Sequence, residues 1–192
     1  DTYAAIAGAV SALKGPLHGG ANTKVVEMFR ELNANVGDKR DEDEIRAYLQ
    51  KILNTEAGDG SGKIFGLGHA VYTLSDPRAV LIKKYAQGMA KSQGRLEEFE
   101  FMERVERIGL DLLAPKRRDG LPRCANVDFY SGFVYSMLGI PEELYTPLFA
   151  IARIAGWCAH RMEEVLTGGR IMRPAYRAVM DRSTYVPIDE RP

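Results

Sequence analysis

The sequence predicts an all-α protein. Three observations carry that expectation: apolar residues recur at three- and four-residue intervals along most of the chain, no stretch alternates cleanly between apolar and polar, and runs of β-branched residues are absent. Of the 192 residues 45% are hydrophobic and 27% charged, which suffices to bury a core and excludes compositional disorder.

The elements follow in order. The first helix is expected over Asp1–Lys14, an Ala-rich stretch with Tyr3, Ile6, Val10 and Leu13 on one face, stopped by Gly15-Pro16. The second covers Ala21–Asn33 and turns Val25, Met28, Phe29 and Leu32 inward. Four consecutive carboxylates, Asp41 to Glu44, open a third, where the helix dipole favours negative charge. Its apolar face is Ile45, Leu49, Ile52 and Leu53. Gly-rich Asn54–Lys63 is a loop. Asp76 caps a fourth helix that starts on Pro77 and runs to Gln93. Gly94 separates it from a fifth over Arg95–Leu113, with Leu96, Phe99, Val105 and Leu112 inward. A basic connection, Ala114–Arg123, leads to two further helices, Phe129–Leu138 and Glu142–Leu166, parted by Gly139-Ile140-Pro141. Beyond Gly168-Gly169 periodicity is lost and an extended tail is expected; a minor hairpin between Ile64 and Leu74 is the most β-structure the pattern allows.

Several function classes are disfavoured. Lys plus Arg (26) equals Asp plus Glu (26), whereas a general nucleic-acid binder needs a basic excess. No apolar run approaches the roughly 18 residues of a membrane span. Cys124 and Cys158 are too few for a disulfide scaffold and fit a reducing, cytoplasmic setting; Cys158, beside Trp157, reads as a small core residue. Gly58–Lys63 is not a phosphate loop, because Ala57 and Ile64 stand where Gly and Ser or Thr are needed. Gly66-Leu67-Gly68 has Val71 at the third glycine position of a dinucleotide fingerprint and fails as well. His160 with Glu163 and Glu164 lacks a second His or Cys one turn away, so no metal site is expected there or elsewhere.

Three segments put Gly, His and Asp in unusual company: LKGPLHGGAN around His18, GLGHAVYTLSDPRA with His69 and Arg78, and ANVDFYSG with Asp128. Glycine permits close backbone approach, and His with Asp is the acid–base pair suited to neutral pH. Each segment alone also has a plain reading, His18 as a helix C-cap donor, His69 as a turn histidine and Asp128 as an N-cap.

Together the segments resemble the citrate synthase family, 2-methylcitrate synthase included. KGPLHGGAN, GLGHAVY with DPRA behind it, NVDFYSG and FAIARIAGW occur in the family's order and approximate spacing. The resemblance covers the C-terminal part of the family's pattern only. Full-length members carry a long helical N-terminal region with a further substrate-contacting His. The chain opens at Asp1, inside an expected helix, so the resemblance implies a fragment.

What the resemblance implies can be stated residue by residue. The fold is a citrate-synthase-like small domain with the C-terminal helices of the large domain: 1–19 ends the large domain, 20–139 is the small domain, and 140–192 returns to the large domain and tail. The reaction condenses acetyl-CoA with oxaloacetate to give citrate and CoA. Asp128 would take the methyl proton, His18 would donate to the thioester oxygen, and His69 would polarise the ketone and protonate the new alkoxide. Arg78 and Arg153 would bind the dicarboxylate as planar, bidentate cations, with Arg173 reaching across a homodimer interface. Many bacterial members carry a second Arg straight after the tail proline, where this chain has Ala175, so Arg170, Arg173 and Arg177 compete for that alignment. Lys116, Arg117, Arg118 and Arg123, or the backbone of Gly66–Val71, would meet CoA. No permanently bound cofactor is implied, and neither is a nucleic-acid or membrane partner. A 2-methylcitrate synthase, a citryl-CoA lyase-type enzyme and an inactive helical assembly piece are the alternatives.

Overall fold

Local chemistry sets where the helices begin. In the computed structural model, which describes residues 1–14, 19–114, 121–171, 173 and 184–191, the Asp41 carboxylate accepts from the backbone N–H groups of Asp43 and Glu44. Asp76 does the same for Arg78, with Pro77 in the first turn. The described residues hold seven α-helices: α1 (Thr2–Leu13), α2 (Ala21–Asn35), α3 (Glu42–Leu53), α4 (Pro77–Ser92), α5 (Leu96–Leu113), α6 (Asp128–Met137) and α7 (Tyr145–Thr167). Each expected helix is present. The last starts later than Glu142 because Glu142–Leu144 forms a tighter 3-10 turn after the extended Pro141. Beyond Thr167 the only described element is a second such turn, Ile188–Glu190.

The core lies among α2 to α6. α3 packs on α5, α4 on α5 and α6, and α2 on α6. Val25, Phe29 and Leu32 meet Ile45 and Leu49 of α3, Phe99 and Val105 of α5, and Phe129 and Tyr130 of α6, all buried in one cluster. Phe29 stands edge-on to Phe129, with ring centres 5.4 Å apart. Full burial of side chains this size stabilises by roughly 1.5–3 kcal/mol each, so this cluster holds the helices in register. A polar tie crosses the same layer. The Tyr130 hydroxyl donates to Glu106 at 2.5 Å, and Lys83 pairs with that carboxylate at 2.7 Å, joining α4, α5 and α6.

α1 and α7 pack on each other, and α7 also touches α2. Here the expected inward faces are not covered. Leu13 is buried, but Tyr3 is 89% exposed, and Ile151, Met162 and Val165 lie open on α7. Cys158 is only half-buried, which corrects its reading as a core residue.

The minor hairpin that the pattern allowed does not form; no strand is present between Ile64 and Leu74. Positive φ at Gly66 (81°) and Gly68 (103°) interrupts the extended run that a hairpin arm requires. The backbone bonds across to the segment before α6 instead. Gly68 N–H donates to the Cys124 carbonyl at 2.7 Å, and Asn126 N–H donates to the Gly66 carbonyl at 2.8 Å. The Leu67–Ala125 bridge therefore seats the second glycine-rich segment on the third.

Candidate active site

Glycine geometry places this contact. A Cβ at Gly66 would lie 2.7 Å from Phe129 Cδ2 and 2.9 Å from Phe129 Cα, so the loop rests directly on the first turn of α6. His69 follows, half-buried, and its ring Nδ1 accepts from two backbone N–H groups, Val71 at 3.0 Å and Tyr72 at 3.1 Å. A nitrogen that accepts cannot carry the proton, so a neutral His69 holds it on Nε2. Arg78 Nη2 stands 3.3 Å from that Nε2. In this tautomer both atoms are donors and do not bond to each other; both can serve an acceptor placed between them.

Arg78 is held by Asp76. The carboxylate accepts from Arg78 Nε at 3.0 Å, from Nη2 at 2.8 Å and from the backbone N–H at 3.0 Å, while being 1% exposed itself. These bonds keep the Asp76 carboxyl below its ordinary range despite burial. The Arg78 guanidinium also lies over the Tyr72 ring, 5.6 Å from its centre, while its outer part stays open to solvent.

Asp128 is the first residue of α6, inside the helix and not its cap; its N–H donates to the Asn126 side chain at 3.0 Å. Burial raises the Asp128 carboxyl above its ordinary range, Arg78, Arg153 and His69 oppose that rise, and the Asp76 charge adds to it. All four residues are thus close enough to act on its charge. The structure therefore brings together His69, Arg78, Asp128 and Arg153, from one loop, the first turns of α4 and α6, and the exposed α7, where the Arg153 guanidinium covers the Phe149 ring at 4.5 Å. A carboxylate of raised basicity, an imidazole donor and two partly open guanidinium groups can bind a dianion and move a proton beside it.

Other expected residues stand elsewhere. Arg173 is exposed, and among the described residues no hydrogen bond or ion pair joins it to this group. Arg123 lines a cavity of about 170 Å³ with Asp76, Lys83, Glu106 and Tyr130. His18 and the loop residues Lys116, Arg117 and Arg118, like Arg177, lie outside the described residues. The neighbour of His18 is described: Gly19 has φ 88°, a Cβ there would collide with the Leu13 carbonyl, and its own carbonyl accepts from Thr146 Oγ1 at 2.7 Å. Among the described residues no three His, Cys, Asp or Glu side chains converge in a way that could hold a metal ion. No helix among them is long and apolar enough to cross a membrane.

Sequence reasoning took Asp76 for a cap and missed its grip on Arg78. The spacing Asp-x-Arg at a helix start was the available signal. Tyr145 and Thr146 carried no signal, and Asn22 and Ser131, although inside two of the quoted segments, gave no sign of their pairing, because their partners are distant in sequence.

The chain is 40% identical over 192 residues to a citrate synthase of Synechocystis, and 44% identical over 197 residues to one of Acidithiobacillus ferridurans. It is covered completely in both and spans 44% and 46% of their lengths, a little under half. Its fold matches the citrate synthase of Thermoplasma acidophilum, solved as a ternary complex with carboxymethyl coenzyme A and oxaloacetate, with a TM-score of 0.75, 31% identity, and coverage of 100% of this chain and 47% of that one. The Thermotoga maritima citrate synthase superposes with a TM-score of 0.69 at 35% identity, over 97% of this chain and 46% of that one. The family model described as citrate synthase, C-terminal domain, matches residues 1–175, glycine-rich loops and α6 included, and the chain belongs to the citrate synthase family.

Proposed function

We propose that this chain forms the catalytic half of an enzyme that condenses acetyl-CoA with oxaloacetate to give citrate and free CoA. The observation that carries the reading is the convergence of a donor-tautomer His69, an Asp76-held Arg78 and a carboxyl-raised Asp128 at one place. The relative solved with oxaloacetate and a CoA analogue supports the substrate classes.

The chemistry has a weakly acidic C–H to break. Asp128 takes a proton from the acetyl methyl carbon while His18 donates a hydrogen bond to the thioester oxygen, so the enolate charge is met as it forms. The raised basicity of Asp128 serves this step better than an ordinary carboxylate would. The enol carbon then attacks the ketone carbon of oxaloacetate, the carbonyl electron pair moves to oxygen, and the Nε2 proton of His69 neutralises the alkoxide. Water hydrolyses the resulting citryl thioester. Arg78 and Arg153 bind the oxaloacetate carboxylates, Arg173 completes the site from a second copy in a homodimer, and Lys116, Arg117, Arg118 and Arg123 face CoA. Residues 1–19 and 140–192 belong to the large domain and 20–139 to the small one; that division agrees with a core drawn from α2 to α6 and with the open faces of α1 and α7. The enzyme works in the cytoplasm.

The test is release of CoA from acetyl-CoA plus oxaloacetate by the whole protein that carries this chain. Asp128→Asn and His18→Ala should each lower turnover by about two to four powers of ten. Near-parental turnover in both variants refutes the assignment, and cleavage of citryl-CoA without condensation would point to a lyase.

A further inference from the structure

Two motif residues, Asn22 and Ser131, have no part in the chemistry above, yet both are buried polar side chains. Their positions are informative. Asn22 lies in the first turn of α2, just beyond the His18 loop, and Ser131 lies one turn beyond Asp128 on α6. The Asn22 side-chain amide donates to Ser131 Oγ in a short, buried hydrogen bond. Ser131 Oγ in turn stands 3.5 Å from the carbonyl of Asp128 itself.

The start of α7 joins the same cluster. Thr146 Oγ1 donates to the Gly19 carbonyl at 2.7 Å, and the buried Tyr145 hydroxyl donates to the Gly132 carbonyl at 3.3 Å. Gly132 has no room for a side chain. A Cβ there would sit 2.7 Å from Val26 Cγ2 and 3.1 Å from Asn22 Oδ1. Side-chain bonds thus tie Gly19 to α7, α7 to α6, and α6 to α2. Eight residues beyond Tyr145 on the same helix is Arg153.

From this geometry we infer that Asn22, Ser131, Tyr145 and Thr146 form a clasp that positions Gly19 and the start of α2, Asp128 and Arg153 relative to one another. They are positioning residues and touch no substrate. The physical need is clear. The proposed acid–base partners come from segments more than a hundred residues apart, and apolar packing alone leaves a helix free to slide by fractions of an ångström. Directional hydrogen bonds in a buried site resist that slide, because a broken one leaves an unpaired polar group. A misplacement of about 1 Å at reacting groups costs on the order of a hundredfold in rate. The inference rests on the functional reading given above.

The experiment compares Thr146→Val, which keeps shape and loses the hydroxyl, with Ser131→Ala, and uses Thr146→Ser as the conservative variant, all in the whole protein. Two readouts are taken: kcat and KM for condensation, and amide hydrogen exchange over Gly19–Lys24. Thr146→Val and Ser131→Ala should lower kcat about tenfold or more with KM for oxaloacetate within about twofold, and should speed exchange in that segment. Thr146→Ser should restore both. An active parent whose variants keep their kcat, or lose kcat and binding in step, overturns the clasp. A parent inactive with these substrates refutes the functional reading instead; the exchange data then decide the clasp, and unchanged exchange in Thr146→Val overturns it.

Discussion

Replacing Gly66 by Ala should damage both fold and site, and the size of the damage can be worked from the backbone. Gly66 sits at φ 81°, a conformation that costs an L-residue about 1–2 kcal/mol. The added methyl would stand 2.7–2.9 Å from Phe129, whose Cα cannot rotate away, and overpacking of this kind costs about 1–3 kcal/mol. Alanine also restricts the unfolded chain, which returns about 0.4–1 kcal/mol. The balance is a loss of about 1–5 kcal/mol. Gly88, inside α4 with nothing within 4 Å of its added Cβ, is the control, and Gly88→Ala should be neutral or stabilising by up to about 1 kcal/mol. Urea unfolding of parent and both variants, side by side, measures the difference. A Gly66→Ala protein within about 0.5 kcal/mol of its parent would show that the loop does not bear on α6 as described.

Arg78→Leu and Arg153→Leu should each weaken oxaloacetate binding while leaving CoA binding near parental, measured by titration calorimetry; equal loss of both ligands would indicate a folding defect. The Asp76 carboxyl is held low, so its contribution to stability is present above the ordinary carboxylate value and fades as pH falls through the lowered one. Asp76→Ala, which also removes a cap worth about 1 kcal/mol, should therefore lose less stability on acidification than the parent; parallel acid melting curves would contradict this. Asp128 has the opposite sign: its contribution is present while it is protonated and is lost as pH rises through the raised value, so inactive Asp128→Asn should be at least as stable as the parent near neutrality. A less stable variant would contradict the burial assigned to Asp128. Purified alone, the 192-residue chain should self-associate through α1 and α7 and release no CoA; an active monomer by light scattering and assay would refute that.

The helices were legible because their signals are local. Val25, Met28, Phe29 and Leu32 announce a buried face by spacing alone, and Asp76-Pro77 announces a helix start by capping chemistry. The same spacing misled at Tyr3, because periodicity reports which face is apolar and not whether a partner covers it; at Cys158 it was residue type beside Trp157 that misled. The pairing of Leu67 with Ala125 was invisible for a different reason: two short bridging hydrogen bonds leave no alternation for a sequence pattern to show. At the site, His69, Arg78 and Asp128 stood out by residue type beside glycine, whereas the tautomer of His69 depends on backbone amides that every sequence possesses. The Asn22–Ser131 and Thr146–Gly19 bonds join residues far apart in the chain, and only the fold reveals them.

The backbone origin of the His69 hydrogen bonds bears on how such a protein can diverge. Where a carboxylate side chain holds a histidine, one codon change can displace the proton and silence the site. Here the two acceptor contacts at Nδ1 come from the peptide groups of residues 71 and 72, which any amino acid except proline supplies equally. The 75% exposed Val71 side chain can accordingly be exchanged for almost anything while the imidazole keeps its donor face. The rim beside His69 is thus open to variation in charge and size without a cost in proton placement.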